Sequence, residues 1–561
     1  MLNTSVEKTI AGFLLIGVPF TTLFLVTGTV SDPVNITKLF AAGCVGGGVL
    51  AIALTFGLKE LWRSSKIFLV AISLLALTML NAVINSATPL TQNLYGTYGR
   101  NTGFIAYLAL SAVAISAALL RRKRSFEYLV WALMFSGAIN VLYCGWALAF
   151  GDFISWNNPY GNILGLFGNP NFIGAFLGMF ISGSVAFAIA NIRNWRYPVL
   201  LFPLCLAALY EIKRSNAVQG LVVTGAGLAI IGFYLVRSLT KGNLLTIIYT
   251  GLVGVVGVFA LGGALQKGPL TDFIYKKSVS LRGSYWETGI EMGKANPLTG
   301  VGMDSYGNYY RLFRPDRAVI DTPGPGTVTN AAHSVPIDFF SYGGYPLLLT
   351  YLAVMGIGAW AIIRITLRSR TFDGIFVSIA VTFLTYHLQS IISINQVGLA
   401  IWGWVLAGAL VAYEYTTRPK NTDTAKAKVA KQKELIFSPQ LVGGIGVVIG
   451  ALIAVPPLAG DSSWRTAILS QSAEKVELAL VPSYLVPEDT YRYLSAADTF
   501  EKSKLGDLAY KYAKKAVEYS PDSYDSWRAL YAVSKSTPAD KELALKNMKR
   551  LDPKNPDLLA Q

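Results

Sequence analysis

The chain carries little charge for its length. Only 14% of its 561 residues are Asp, Glu, Lys or Arg, whereas soluble proteins have about 25%. So few charged residues cannot cover a water-facing surface, and most of the chain must therefore face lipid. Apolar runs of about 20 residues recur as far as residue 458, and they are continuous rather than alternating, which argues against a membrane β-barrel. The composition predicts an all-α, polytopic membrane protein.

Cysteine, histidine and the common catalytic motifs are also scarce. The three cysteines, Cys44, Cys144 and Cys205, all lie in apolar runs, so they form neither a disulfide framework nor a metal-ligand spacing. The chain has no GxxxxGK[ST] phosphate loop, no HExxH helix and no GxSxG elbow. Asp304 stands without a second acid beside it in the sequence. We therefore expect chemistry without a bound metal or cofactor.

Thirteen apolar segments have roughly the length of a membrane-spanning helix. They cover residues 10–30, 36–57, 66–83, 103–120, 126–149, 171–190, 197–211, 218–236, 244–264, 336–362, 374–394, 395–413 and 439–458.

The connections between these segments alternate in charge. Every second connection is rich in Lys and Arg: residues 59–66, 121–124, 193–196, 237–241, 364–370 and 418–433. The positive-inside rule places this set in the cytoplasm. The N-terminus is then cytoplasmic, and residues 265–335 and the C-terminal region are extracytoplasmic.

The net charge of +16 is explained largely by these loops. A nucleic-acid partner is therefore not expected. The basic residues outside those loops, in the long insert and in the Lys213-Arg214 turn, suit an anionic substrate or anionic lipid headgroups.

Composition divides the chain into two domains. Residues 1–458 form the predicted membrane domain, with a large external loop at 265–335 and a cytoplasmic linker at 414–436. From Asp461 the charge rises and a helical period continues without lipid-length runs. The small and aromatic residues in the tail, with prolines after its helices, resemble tetratricopeptide repeats. A protein-binding surface on residues 461–561 and a module that only caps the membrane domain are both open.

Three short polar stretches interrupt the apolar segments on the predicted outer side. Arg100 lies in YGTYGRNTG, where it either anchors at the headgroup level or binds substrate. Asn169 and Asn171 flank a proline in GNPNF, a pattern typical of a helix cap, and they are also substrate-binding candidates. Lys213 and Arg214 break the charge bias of the outer loops, so they either snorkel toward lipid phosphates or bind substrate.

The longest polar stretch, residues 275–333, is the main candidate site. Arg282 and Trp286 lie four residues apart, so they share one face of a predicted helix. Arginine suits a diphosphate because its planar fork donates two hydrogen bonds and its charge does not titrate. His333 follows in NAAHS, and a neutral imidazole can act as a general base. Further substrate-binding candidates in this stretch are Arg311 and Arg314.

The strings LRGSYWETGIEMGKANPLTGVGMDSYGNYY and AAHSVPIDFFSYGGYPLLLTYL resemble the O-antigen ligase and polymerase superfamily. GTYGRNTGFIAYL and GNPNFIGAFL resemble earlier outward loops of that family. The resemblance implies a membrane glycosyltransferase of the GT-C type in the bacterial cytoplasmic (inner) membrane. Such enzymes take a glycan from undecaprenyl diphosphate on the outer face and pass it to a lipid, glycan or protein hydroxyl.

The resemblance also implies roles for particular residues. His333 matches the essential histidine of the family, and Arg282 matches the arginine at the start of its large external loop. Arg214 falls where the family has an arginine after a transmembrane helix, although here the order is Lys213-Arg214-Ser215. The implied mechanism uses Arg282 and Arg214, with Arg100, to hold the diphosphate while His333 takes the proton of the acceptor hydroxyl.

Several functions remain open within and beyond this family. We rank a ligase first, ahead of a polysaccharide polymerase and a protein O-oligosaccharyltransferase. A transporter of lipid-linked sugars ranks lower, because the apolar segments hold few charges and show no internal symmetry. A scaffold that recruits proteins through residues 461–561 ranks lower still, since the outward cations cluster in the membrane domain.

Overall fold

The computed structural model describes residues 2–156, 158, 161–274, 277–320, 324–419 and 435–559. About three quarters of the chain is helical, and none of the residues just given forms a strand. The helices are α1 Thr4–Leu23, α2 Asn35–Ile52, α3 Leu58–Ile84, α4 Leu90–Tyr95, α5 Phe104–Ala117, α6 Lys123–Phe150, α7 Pro170–Ala190, α8 Arg196–Arg214, α9 Val218–Leu239, α10 Leu244–Ala264, α11 Thr271–Ile274, α12 Lys277–Ala295, α13 Tyr306–Phe313, α14 Arg317–Ile320, α15 Val335–Arg368, α16 Gly374–Ser390, α17 Val397–Thr416, α18 Pro439–Leu469, α19 Ala473–Leu478, α20 Thr490–Lys502, α21 Gly506–Tyr519, α22 Tyr524–Ala532, α23 Pro538–Leu551 and α24 Pro556–Leu559.

The predicted class, an all-α polytopic membrane protein, is confirmed. In the described part of the chain, nine helices are long and apolar enough to cross a membrane, and α5 and α16 are shorter apolar helices. Each of the thirteen predicted segments overlaps a helix. The largest boundary difference is at the last segment, predicted to end at residue 458, because α18 continues to Leu469; the first was predicted to run to residue 30, whereas α1 ends at Leu23. α2 and α3 join through a π-helical turn, Ala53–Gly57, so two predicted spans form one continuous helix.

α18 lies against α2 at a distance that only glycine permits. A Cβ built on Gly450 would come within 2.0 Å of the Gly43 carbonyl oxygen, and one on Gly47 within 2.4 Å of the Gly446 carbonyl oxygen. Small residues at such spacing let two helix backbones pack closely in a membrane. This contact fixes the helix that leads into the C-terminal region.

The C-terminal helices have a hydrophobic core of their own. It is formed by side chains between Trp464 and Leu558, separate from the main core of the membrane helices. The domain boundary predicted at 458–461 falls inside α18, because the helix continues after its lipid-length apolar run has ended. Most of the predicted linker 414–436 lies outside the described residues, which resume at Leu435.

The insert predicted to be external is attached to the start of α15. The Val301 N–H donates to the Ser341 carbonyl at 2.8 Å, and the Gly302 N–H donates to the Tyr342 carbonyl at 3.0 Å. α12 packs along the same part of α15, where a Cβ on Gly289 would come within 2.6 Å of Ile337. The two strings that carried the family resemblance are thus neighbours in the fold.

Candidate functional site

Arg100 lies inside the protein rather than at the headgroup level. Its loop turns at Gly96, whose φ of +88° suits glycine, and a Cβ there would come within 2.5 Å of Asp304 Oδ2. The Arg100 side chain is only 5% exposed. Its Nη1 donates to the backbone oxygen of Asn330 at 3.3 Å and to Asn330 Oδ1 at 3.2 Å. The loop therefore carries a buried cation to the segment that precedes His333.

Asp304 is the counter-ion of Arg100, with its Oδ1 3.5 Å from Arg100 Nε. The backbone N–H groups of Thr97 and Thr102 donate to Asp304 Oδ2 at 2.9 and 3.3 Å, and the Tyr342 hydroxyl donates to Oδ1 at 3.2 Å. Burial raises the pKa of Asp304, while Arg100 and the backbone donors oppose that shift. Asp304 thus joins the Arg100 loop, the external insert and α15.

His333 lies at the end of a short segment in front of α15, with a φ of +56°. A non-glycine residue in this region is uncommon, and such residues cluster at functional sites. The preceding backbone is held by the Ala332 N–H, which donates to Asp338 Oδ1 at 2.7 Å. His333 is half-buried, and among the described residues no hydrogen bond reaches either ring nitrogen.

Arg282 lies on α12 beside His333. Its side chain is half-buried and, within the described ranges, makes no hydrogen bond or ion pair. Tyr285, one helical turn further on, has its ring centroid 5.5 Å from that of His333. Trp286 shares this face, as predicted, and its indole N–H is buried without a partner in the same ranges. Within the described ranges, a cation without a partner, an imidazole without a hydrogen bond and the Tyr285 ring therefore lie close together.

Burial lowers the pKa of His333 to about 4, together with the positive charge first of Arg282 and then of Arg100. Burial also lowers the pKa of Arg282, although Tyr285 opposes that shift. An arginine stays protonated at neutral pH even so. The site therefore presents a neutral imidazole beside two positive charges, and its net positive charge favours the binding of an anion.

Several residues of the site were not predicted. Asn330, Tyr285 and Asp338 lie inside the sequence strings given above but were not singled out, and Asp304 was noted only as an isolated acid. Tyr285 could have been found, because it lies three residues from Arg282 on a predicted helix. The contacts of Asp304 and Asp338 depend on long-range folding. Asp338 is 2% exposed, and its Oδ2 is buried without a described partner.

Arg311 and Arg314 were predicted to bind substrate, but they face the C-terminal helices. Arg314 is fully buried, and its Nη2 donates to both carboxylate oxygens of Asp552, at 2.6 and 2.8 Å. Arg311 Nη1 lies 3.3 Å from the same carboxylate, and its guanidinium lies over the Tyr524 ring at 4.2 Å. Both arginines also donate to the Pro325 carbonyl. Both guanidinium groups already donate to Asp552 and to the Pro325 carbonyl, so we leave them out of the proposed donor site.

Lys213 and Arg214 end α8 and are exposed. Neither makes a hydrogen bond or ion pair with another described residue. Nothing in those residues connects them to His333, so their role in donor binding stays a prediction.

Asn169 and Asn171 stand at the start of α7. The side chain of Asn169 caps the helix by accepting the Asn171 N–H at 2.9 Å, with Pro170 in the first turn. The predicted cap is confirmed, and it accounts for the contacts of this pair.

The part of the chain that matches a known family includes this site. Residues 200–352 match the family model of the O-antigen ligase domain, Wzy_C. The match runs from α8 into α15, so it contains Arg214, Arg282 and His333. It supports the O-antigen ligase superfamily, whose members are ligases or polymerases of the glycosyltransferase type. The family implies a membrane context and a lipid-linked glycan donor. No curated protein matches the chain.

Proposed function

We propose that this protein transfers a glycan from undecaprenyl diphosphate to an acceptor hydroxyl, as an O-antigen ligase does. The observation that carries the proposal is the pairing of Arg282 and His333. Neither makes a hydrogen bond or ion pair among the described residues, and the charge of Arg282 helps to lower the pKa of His333. Both lie within the part of the chain that matches the ligase family.

Arg282 is the proposed diphosphate contact. Its fork geometry allows two parallel hydrogen bonds to phosphate oxygens, and it offsets the charge that develops as the diphosphate leaves. Arg100, held behind it by Asp304, adds positive charge at the same place. Trp286 is proposed to contact the donor through its unpaired indole N–H. The exposed Arg214 and Lys213 are proposed to meet the diphosphate as the lipid enters.

His333 is the proposed general base. The acceptor oxygen attacks the anomeric carbon, the bond from that carbon to the diphosphate breaks, and the diphosphate leaves with the electron pair. The acceptor proton passes to the imidazole. With a pKa of about 4, His333 is a weak base in the free protein. A bound diphosphate cancels nearby positive charge and so raises the pKa of His333 toward the working pH. No step in this scheme needs a metal.

The proposed location is the outer face of the bacterial inner membrane. The loops that carry Arg100, Asp304 and His333 meet at one end of the membrane helices, together with the C-terminal region. The basic connections mark the other end as cytoplasmic by the positive-inside rule. This arrangement is tested with the single variants Asn158→Cys and Arg193→Cys and a thiol reagent that cannot cross the membrane. Added outside intact spheroplasts, the reagent should label the cysteine at 158 and not the one at 193.

The function is tested with purified protein in liposomes that contain undecaprenyl diphosphate-linked glycan and separate acceptors. We expect release of undecaprenyl diphosphate together with a glycosylated acceptor. A lipid acceptor identifies a ligase, a lengthened glycan a polymerase, and a modified protein an oligosaccharyltransferase.

The matched variant is His333→Asn, because asparagine tolerates a positive φ but cannot serve as the base. We expect general-base loss to slow transfer about 10²- to 10⁴-fold at an unchanged protein level. Transfer near the wild-type rate would refute the proposed role of His333.

A further inference from the structure

A second cluster of cations lies far from His333, near the opposite end of α15. It lines a groove between the first turns of α3, the last turns of α15 and the end of α17, with a volume of about 380 Å³. We call this the basic groove. Its charged side chains are Arg63, Lys66, Arg364, Arg418 and Glu414.

Among the described residues that line the basic groove, there is more positive charge than the single carboxylate, Glu414, can balance. Glu414 is nearly fully buried and already lies near three guanidinium groups, at 3.3 Å from Arg364, 3.2 Å from Arg368 and 2.6 Å from Arg418. Arg63 and Lys66 are exposed, and no described carboxylate pairs with either of them. Within the described ranges, Arg63 and Lys66 therefore have room for an added anion.

The groove also has an apolar flank at the same level. Trp62 and Trp360 are each 57% exposed, and the neighbouring Ile67 is 71% exposed. Tryptophan beside lysine and arginine is typical of the membrane–water interface. A free anion would use the cations and leave this flank uncovered, whereas a lipid covers both.

The helix α3 is kinked beside the groove. Ser65 interrupts α3 with φ −145° and ψ 32°, so Arg63 and Lys66 lie on either side of a kink. Residues on both sides of the kink, such as Trp62 and Phe68, line the groove together with α15 and α17.

We propose that the basic groove binds the headgroup of an anionic phospholipid. The phosphate lies between Arg63, Lys66 and Arg364, and the acyl chains run past Trp62 and Trp360. Bound in this way, the lipid joins α3 to α15 and α17 and so stabilises the folded chain. The proposal does not depend on glycan transfer.

The test measures binding to full-length protein in detergent by native mass spectrometry, and thermal unfolding in parallel. The probes are phosphatidylglycerol, phosphatidylcholine and inorganic phosphate. We expect phosphatidylglycerol alone to bind and to raise the unfolding midpoint. Arg63→Gln with Lys66→Gln should weaken that binding about 30-fold, since each cation near the surface contributes about 1 kcal/mol.

Arg193→Gln with Arg196→Gln is the matched control. It removes the same charge from two exposed residues outside the groove, one in the connection before α8 and one at the first position of α8, and it should leave phosphatidylglycerol binding unchanged. An equal loss in the control would mean that the attraction is general rather than local. Equal binding of phosphatidylcholine, or equal stabilisation by inorganic phosphate, would also overturn the proposal.

Discussion

Arg282 and Arg314 lie in the same external insert, yet their surroundings are opposite. Arg282 is half-buried beside a neutral histidine and has no partner among the described residues. Arg314 is fully buried and donates two hydrogen bonds to Asp552. A buried arginine whose donors are engaged stabilises a domain contact, whereas one with free donors is available to a ligand. The number of arginines in a segment therefore says little about which of them bind substrate.

The largest expected effect comes from breaking the buried pair. Arg314→Gln leaves the Asp552 carboxylate buried without its strongest partner, which should cost about 3–5 kcal/mol of stability. The measurement is denaturant unfolding, with limited proteolysis to follow release of the C-terminal helices. Arg314→Met with Asp552→Leu should lose less stability than either single variant. An additive loss in the double variant would mean that the two side chains do not interact.

Arg282→Gln should lower the rate of glycan transfer rather than the stability of the protein. Because Arg282 has no described protein partner, its loss should leave thermal stability unchanged. Loss of a diphosphate contact should slow transfer about 10²- to 10³-fold. Transfer rate and unfolding midpoint are measured on the same preparation. A large fall in stability with normal specific activity would reverse the roles assigned to the two arginines.

The pH dependence sharpens the comparison further. Protonated His333 cannot accept a proton, so transfer should fall as the pH falls. In the free enzyme, reported by kcat/KM, the acid limb should lie near pH 4. In the donor complex, reported by kcat, it should lie at higher pH, because the diphosphate raises the pKa of His333.

Arg282→Gln should move the kcat/KM limb to higher pH by removing positive charge beside His333. Arg314→Lys, which keeps its charge, serves as the control and should not move it. An acid limb that is unchanged in Arg282→Gln would mean that Arg282 does not act on His333.

The smallest effect is expected at Arg317, another arginine of this segment. It pairs with Glu287 and reaches Ser284 Oγ at 3.2 Å, and its side chain is half exposed. Exposed ion pairs contribute roughly 0–1 kcal/mol. Arg317→Ala should therefore change neither stability nor transfer by more than about twofold, measured in the assays used for Arg282 and Arg314. A large loss of transfer would place Arg317 in the donor site.

Local patterns predicted the elements well. The four-residue spacing of Arg282 and Trp286 predicted α12, which ends at Ala295, just before Asn296-Pro297. The Asn-Pro-Asn string predicted the start of α7, where Asn169 is the cap. These features depend on backbone hydrogen bonds between residues close in the chain, which a single sequence displays directly.

The partners of the arginines could not be predicted in the same way. Arg100 meets Asp304, and Arg314 meets Asp552, across more than two hundred residues each. Nothing near Asp552 in the sequence marks it as a buried counter-ion. The resemblance of residues 461–561 to tetratricopeptide repeats, and the role of Arg214, stay predictions.

The sequence by itself determined that this is a helical membrane protein with a long polar insert between its apolar helices. Continuous apolar runs exclude water, and a backbone in lipid must satisfy its own hydrogen bonds within each helix. Only the tertiary structure decided which arginine side chains are free to bind a ligand. Whether a guanidinium is free or paired depends on carboxylates brought close by folding, and burial beside Arg282 gives His333 its low pKa.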